Sequence, residues 1–288
     1  YGVPEWLDKH VPDYFGLGDE KASRLMNDDR IGRALDRLYE VDPASLMTAV
    51  VMRAVKEFGI DLSQIHNDTT TVTFSGGYEG QEEQEAERRP PLITFGHNKD
   101  HRPDLKQLVY SLTVSADGAV PVHYKTYDGN VTDDKTHIET WKTIREIAGT
   151  AEFLYVADSK LCTRENLGFI AEQGGTFITV LPRSRHEDDA FRQRARGHRI
   201  PWQEVRRSRN PRGKDKPDQV YEAHEPRECT SEGYRLIWFR SSVKRALDEK
   251  QRANRISRAK MRIENLENRR GAHRFRTIEK AEKAAADV

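Results

Sequence analysis

The sequence has few cysteines and no long apolar run. Cys162 and Cys229 are the only cysteines among 288 residues, which argues against a disulfide framework or a cysteine-based zinc site. No apolar stretch approaches the roughly 20 residues needed to cross a bilayer. Gly-rich phosphate loops and zinc-spaced Cys/His sets are also absent. These absences predict a protein without a membrane span that works in a reducing cytoplasm.

The N-terminus also lacks features. The first residues, YGVPEWLDKH, have neither the basic n-region nor the apolar h-region of a secretory signal. They do not start with Met, so we expect the chain to begin inside a longer protein. Hydrophobic residues make up 36% and charged residues 33% of the chain. This composition predicts a charge-rich globular protein of one large or two small domains.

The net charge of +1 conceals two regions of opposite sign. Residues 183–288 hold 29 Lys and Arg against 17 Asp and Glu, whereas residues 1–182 hold 19 against 30. A basic region is typical of a protein with a polyanion partner, and an acidic region can supply metal ligands. Solvated helix faces would produce the same charge runs, so composition alone leaves both interpretations open.

Hydrophobic periodicity divides the chain into three parts. Residues 1–60 are predicted to be a helical segment, with a helix starting after Asp42 and stopping at Gly59. Residues 61–182 read as strand, strand, strand, helix, strand, helix, strand. Residues 183–288 have a weaker pattern, with a strand predicted over 234–242 and a long basic helix over 243–270.

The order of elements in the middle part predicts the fold class. The strands are expected at 65–74, 107–127 (a hairpin), 152–160 and 176–182, with helices at 133–149 and 163–174. Three antiparallel strands followed by parallel crossover units give an α/β fold, a ribonuclease-H-like mixed sheet with flanking helices. In that arrangement the first and fourth strands are neighbours.

Asp68 is unexpected because it stands inside the strand IHNDTTTVTF (65–74). Strand interiors disfavour Asp, and a buried carboxylate is unfavourable unless it is paired or holds a metal. Asp158 ends the fourth strand, so the two carboxylates would face each other. Carboxylates on neighbouring strands suit two-metal phosphoryl chemistry. The alternative is that each Asp caps a turn or strand end through nearby N–H groups.

Five blocks of sequence together resemble IS4-type transposases close to the IS1634 group. They cover roughly residues 25–185 in order: NDDRIGRALDRLYEVD (27–42), HNDTTTVTFSG (66–76), FGHNKDHRPDLKQL (95–108), DGNVTDD (128–134) and YVADSKLCTRENL (155–167). The resemblance implies a ribonuclease-H-like core whose DDE triad cuts and joins DNA with Mg²⁺ or Mn²⁺. The first two acids of the triad fall on Asp68 and Asp158.

The resemblance also implies an insertion, partly β-stranded, before the third acid, and residues 183–288 would form most of it. The third acid is a Glu within Y-x₂-R-x₃-E-x₆-K, and no Tyr in the 288 residues begins this pattern. We therefore expect a chain truncated before the third acid and inactive in cleavage by itself. Asp248 and Glu249 are alternative candidates for the missing acid.

Two groups of basic residues are candidate DNA contacts. Near the acids, GHNKDHRPDLKQ (96–107) and the residue after Ser159 supply His97, Lys99, His101, Arg102 and Lys160. In the long helix, phosphate contacts are expected from Arg252, Arg255, Arg258 and Arg262. The loop residues would otherwise order the loop by hydrogen bonds. The helix would otherwise be a solvated surface or half of a homodimer coiled coil, although its apolar stripe lacks a clean heptad.

The sequence thus favours DNA transposition by a DDE transposase acting on transposon ends. A non-catalytic DNA-binding remnant or domesticated module is the first alternative, and it would bind DNA without metal-dependent nicking. A different metal-dependent nuclease that recruits Asp248 or Glu249 is the second.

Overall fold

The computed structural model describes residues 2–10, 25–41, 43–78, 90–98, 102–210, 217–270 and 277–286. The chain divides into two compact units, residues 1–183 and residues 184–288. Within the described residues, no helix is both long and apolar enough to pass through a membrane.

The first unit begins with helices, as the periodicity predicts. They are α1 (Val3–Leu7), α2 (Asp28–Glu40) and α3 (Pro43–Phe58). Asn27 caps α2 by accepting a hydrogen bond from the Arg30 N–H at 2.9 Å. After α3, Gly59 adopts a φ of +61°, the left-handed conformation that favours glycine at a helix end. The predicted N-cap Asp42 lies outside the described residues.

A five-stranded mixed sheet forms the body of the first unit. Its strands are β1 (Gln64–Phe74), β2 (Lys106–Ser115), β3 (Pro121–Asp128), β4 (Leu154–Val156) and β5 (Thr176–Ile178), in the spatial order β3-β2-β1-β4-β5. The pairs β1–β2 and β2–β3 are antiparallel, whereas β1–β4 and β4–β5 are parallel. The predicted ribonuclease-H-like mixed sheet is confirmed, with β1 beside β4.

Two crossover helices follow the strands and contribute large apolar side chains to the core. A short 3₁₀ helix (Asp133–Lys135) precedes α4 (His137–Ala148), and α5 (Arg164–Glu172) follows β4. One face of α4 is buried through Trp141, Ile144 and Ile147, because residues three and four apart share a helix face. Thr163 caps α5 by accepting a hydrogen bond from the Asn166 N–H at 3.1 Å.

The second unit contains more structure than its sequence pattern predicts. It comprises α6 (His186–Gly197), β6 (Gln203–Ser208), β7 (Gln219–His224), β8 (Trp238–Ser241), α7 (Ser242–Arg270) and α8 (Ile278–Ala286), with β6-β7-β8 forming an antiparallel sheet. The long helix over 243–270 is confirmed. The strand predicted over 234–242 is limited to β8, and the hydrophobic periodicity does not predict α6, β6 or β7.

Ion pairs and aromatic stacking explain why periodicity missed these elements. On β8, Arg240 makes a two-pronged ion pair with Glu222 of β7, at 2.7 and 2.8 Å. The α6 ring of Phe191 stacks on Trp238 with ring centroids 3.9 Å apart. Charged cross-strand pairs and single rings give no apolar alternation.

We expect Gly175→Ala to destabilise the first unit, because an added Cβ would lie 2.7 Å from Trp141 Cζ2 and 2.8 Å from Ile170 Cγ2. Overpacking of this kind lowers the free energy of unfolding by about 1–3 kcal/mol. The matched control is Gly168→Ala inside α5, where nothing lies within 4 Å of the added Cβ. That variant should gain up to about 1 kcal/mol. Urea unfolding curves measure both, and equal midpoints would contradict the predicted packing.

Candidate active site

Asp68 and Asp158 occupy equivalent positions on two neighbouring parallel strands. The β1–β4 pairing ends with His66 opposite Val156, and each Asp lies two residues beyond its member of this pair. The alternation of burial is in phase on both strands, so Asn67 and Ala157 are buried while both Asp side chains are exposed. The Ala157 N–H still bonds to the Ile178 carbonyl of β5 at 3.1 Å, which continues the extended strand up to Asp158.

Each carboxylate also accepts a short-range backbone hydrogen bond. The Thr69 N–H donates to Asp68 Oδ1 at 2.8 Å, and the Lys160 N–H donates to Asp158 Oδ1 at 2.9 Å. The capping interpretation is therefore compatible with the structure too. The expectation of a buried carboxylate at Asp68 is wrong, because the alternating strand turns this side chain to the exposed face. Water can hydrate the Asp68 carboxylate on that face, so burial is not an argument for a bound cation. The equivalent positions of Asp68 and Asp158 remain the argument for one.

The described residues do not bring a third acid to this pair. Among them, no group of three or more His, Cys, Asp or Glu side chains is arranged to hold a metal ion. Asp248 accepts a hydrogen bond from Lys244 Nζ at 2.8 Å, and Glu249 pairs with Arg245 Nε at 3.3 Å. Both are pairs along the surface of α7 in the second unit, of the kind that stabilises a helix.

His137 is a buried histidine within electrostatic range of Asp158, and it was not among the candidate residues predicted from the sequence. It begins α4 and is 2% exposed, with Nδ1 3.1 Å from the Tyr155 hydroxyl. Burial lowers the pKa of His137, and the negative charges of Asp158, Asp133 and Asp134 oppose this shift only in part. Its position four residues before Trp141 on the apolar face of α4 was the available signal.

The basic loop (residues 96–107) contacts the turn after β3 at its two ends, Gly96 and Gln107. Gln107 is 1% exposed, and its Nε2 donates to the Gly129 carbonyl at 2.7 Å. A Cβ on Gly96 would lie 1.9 Å from that same carbonyl oxygen, and a Cβ on Gly129 would lie 2.0 Å from the Gln107 carbonyl oxygen. Only glycine permits such close approach of two backbones. The sequence around Gly96 and Gly129 contains no motif that predicts this close approach.

The predicted DNA contacts of the first unit differ in their exposure and in their partners. His97 and Lys160 are exposed, whereas Lys99 and His101 lie outside the described residues. Arg102 makes a two-pronged ion pair with Asp104, at 2.9 and 2.6 Å, which raises the pKa of Arg102. This pair offsets the charge of Arg102 locally and competes with a phosphate for the same donors.

The four predicted arginines of the second unit share one side of α7. Arg252, Arg255, Arg258 and Arg262 are all exposed. At 100° per residue they lie within a sector of about 120°, and at 1.5 Å per residue they span about 15 Å of the helix. None of the four forms an ion pair with another residue in the described part of the chain. They therefore present a row of uncompensated positive charge.

The family of the chain follows from a sequence match that covers most of it. The family described as "Transposase DDE domain" matches residues 64–286, and this chain belongs to that family. No curated protein matches the chain at a significant level.

Solved structures similar to this chain are transposase complexes. A piggyBac transposase synaptic complex with hairpin DNA has 10% identity and a TM-score of 0.36, over 69% of this chain and 39% of that chain. A Mos1 transposase paired-end complex with left transposon end has 9% identity and a TM-score of 0.28, over 62% and 59% respectively. A pre-cleavage Mos1 transpososome has 8% identity and a TM-score of 0.27, over 46% and 40%. This chain therefore spans less than two thirds of each of them.

We expect the free energy of unfolding to fall as the pH drops from 7 towards 5. The unfolded chain protonates its histidines near pH 6.5, whereas buried His137 takes up its proton only at a lower pH, because burial lowers its pKa. The unfolded state then binds more protons, so stability rises with pH in this window, by at most about 1.4 kcal/mol per pH unit for one group. His137→Gln should flatten the slope measured by urea unfolding.

The control for this titration is Thr140→Val, which changes another buried polar side chain of α4 and removes no titratable group. It should keep the pH dependence of the parent chain. A parent slope that His137→Gln leaves intact would contradict the assignment of the titration to His137.

Proposed function

We propose that this chain carries the metal-binding and DNA-binding parts of an IS4-type DDE transposase, with Asp68 and Asp158 as ligands of Mg²⁺ or Mn²⁺. The observation that supports this most is the equal offset of the two carboxylates beyond the paired residues His66 and Val156. Membership of the DDE domain family adds support, since this family generally uses divalent metals. In this function the chain acts in the cytoplasm, on DNA at transposon ends.

The donor atoms fit the proposed ions. Mg²⁺ and Mn²⁺ prefer carboxylate and water oxygens, and Mg²⁺ sites in phosphoryl-transfer proteins use one or two carboxylates. Asp68 and Asp158 each engage one oxygen with a backbone N–H, and no described residue donates a hydrogen bond to the other oxygen. When bound, the ions would activate water or a 3′-hydroxyl and stabilise the leaving oxygen.

The basic residues around the two acids would bind the DNA backbone and take no part in the chemical step. Lys160 follows Asp158 by two positions, and its N–H orients that carboxylate while its exposed side chain is available to a phosphate. His97 supplies a second exposed donor from the basic loop. Such contacts orient the nucleic acid without reading its sequence.

The row of arginines on α7 is the proposed second contact with the DNA backbone. Phosphate neutralisation releases counterions and makes binding sensitive to salt. A homodimer through α7 is the competing use of this helix. Ser242–Arg270 contains 10 Lys and Arg against 4 Asp and Glu, so pairing two copies would bring like charges together. The charge favours DNA over a second helix.

We further propose that the chain by itself binds DNA without cleaving it. The pattern that carries the third acid in IS4-type relatives is absent from the 288 residues. Loss of one of three carboxylates removes negative charge from the metal site. We expect the cleavage rate to fall by several powers of ten, because each tenfold change in rate corresponds to only about 1.4 kcal/mol of transition-state stabilisation.

Mn²⁺ titration followed by electron paramagnetic resonance tests the metal site. Asp68→Asn and Asp158→Asn should each weaken Mn²⁺ binding more than about tenfold, because each removes a charged oxygen ligand. Glu146→Gln, an equal charge change at an exposed position of α4, is the control and should bind as the parent does. Equal affinities in all four proteins would rule out this pair as the metal site. Mn²⁺-dependent nicking abolished by Asp248→Ala would instead favour the alternative nuclease.

Fluorescence anisotropy with a labelled DNA duplex at several salt concentrations tests the DNA contact. Arg255→Gln/Arg258→Gln should weaken binding and reduce the slope of log K against log salt by about 1.8, since each phosphate contact contributes about 0.9. Gln preserves helix propensity. Lys9→Gln/Lys56→Gln removes the same charge from exposed sites of the first unit. If both double variants lower the slope equally, α7 is not a specific contact surface.

A further inference from the structure

The buried face of β2 is largely polar. Gln107, Ser111, Thr113 and Ser115 are each at most 1% exposed, and Val109 is the apolar member of this row. The Ser115 hydroxyl donates to the Asp117 carbonyl at 2.7 Å and so fixes the turn into β3. Buried polar side chains are costly unless they are hydrogen-bonded, which suggests a specific task for the other members of the row.

Asn67 of β1 supplies the partner for two of these hydroxyls. Its side chain is 4% exposed, and Nδ2 donates to Ser111 Oγ and to Thr113 Oγ1, both at 2.9 Å. Asn67 pairs with Thr113 in the strand register. The Asn67 amide therefore hydrogen-bonds to two residues of β2, one on each side of Leu112.

Leu112 is the register partner of Asp68. The amide of Asn67 therefore holds β2 on both sides of the residue that faces the proposed metal ligand. Side chains alternate between the two faces of a strand, so a slip of one residue sends every side chain to the opposite face. A slipped β1 would turn Asp68 into the core and Asn67 towards solvent.

Among the described strands, β2 is the one that pairs with β1 around Asp68. The pairing of β1 with β4 covers only Gln64–His66, whereas its pairing with β2 runs from Ile65 to Phe74. Around Asp68 the face of β1 towards the core carries Asn67 and Thr69, both buried, in place of large apolar side chains. Apolar packing therefore specifies the register weakly at this point, and hydrogen bonds with fixed geometry specify it strongly.

We propose that Asn67 is a positioning residue for the metal site: its amide, clamped between Ser111 and Thr113, sets the register that presents Asp68 on the face shared with Asp158. This inference rests on the proposed role of Asp68 as a metal ligand. Asn67 touches neither metal nor DNA in this role and acts only through the pairing of β1 with β2.

Mn²⁺ binding by the full chain carrying Asn67→Leu tests the inference, since Leu keeps the volume and removes the amide. We expect a cooperative unfolding transition and a native far-ultraviolet spectrum, with Mn²⁺ affinity reduced about tenfold or more, in the range seen when outer-shell partners are lost. Amide hydrogen exchange across residues 67–74 should become faster. The matched control is Thr71→Val, which removes a buried hydroxyl of β1 that has no hydrogen-bond partner among the described residues. It should bind Mn²⁺ as the parent does.

Ser111→Ala/Thr113→Val removes both hydroxyl acceptors, leaving the longer contact with the Leu112 carbonyl at 3.3 Å, and provides a second route if Asn67→Leu does not fold. It should reproduce the loss of Mn²⁺ affinity, and adding Asn67→Leu to it should cause little further loss, because the three groups act as one unit. Parent-like Mn²⁺ affinity in either variant overturns the role of Asn67. If instead the parent binds no Mn²⁺, or Asp68→Asn leaves its affinity unchanged, the metal site itself is wrong and this inference falls with it.

Discussion

The register of β1 is the constraint on which the candidate site depends. Among the five described strands of this sheet, β1 is the one that pairs with both the antiparallel half and the parallel half. Its pairing with β4 sets the equal offset of Asp68 and Asp158, and its pairing with β2 decides which face Asp68 occupies. Because side chains alternate at every residue, both pairings must be correct before two carboxylates from distant segments can act together.

The surroundings of this strand are polar where many sheets are apolar. Asn67, Ser111, Thr113 and Gln107 are buried and hydrogen-bonded, and Gln107 also ties β2 to Gly129 after β3. Polar contacts of this kind define one geometry, whereas apolar contacts accept several. The core that drives folding lies elsewhere in the unit, around Trp141, Tyr155 and Ile170 of the crossover elements. Stability and positioning therefore rest largely on different residues.

The second unit follows different physics. Its sheet is held by charged cross-strand pairs such as Glu222 with Arg240, and Arg185 binds both Glu187 and Glu232, at 3.0 and 2.6 Å. Eight Lys and Arg residues of the described part of this unit form ion pairs within it. A count of Lys and Arg therefore overstates the positive charge available to a partner. Arg252, Arg255, Arg258 and Arg262 of α7 differ, because they form no ion pair within the described residues and project from one side of a long helix. The basic character of residues 183–288 thus resolves into a structural part and an exposed part.

The sequence by itself determined the order of elements in the first unit, the long helix of the second, and the two acids worth examining, because periodicity and capping are local properties of the chain. It also allowed β1 and β4 to be predicted as neighbours. Only the tertiary structure decided that Asp68 is exposed, that His137 is buried within range of Asp158, and that Asn67 and Gln107 hold the strands in place. It also revealed α6, β6 and β7. These features arise from contacts between residues far apart in the chain, and such contacts leave no period in the sequence.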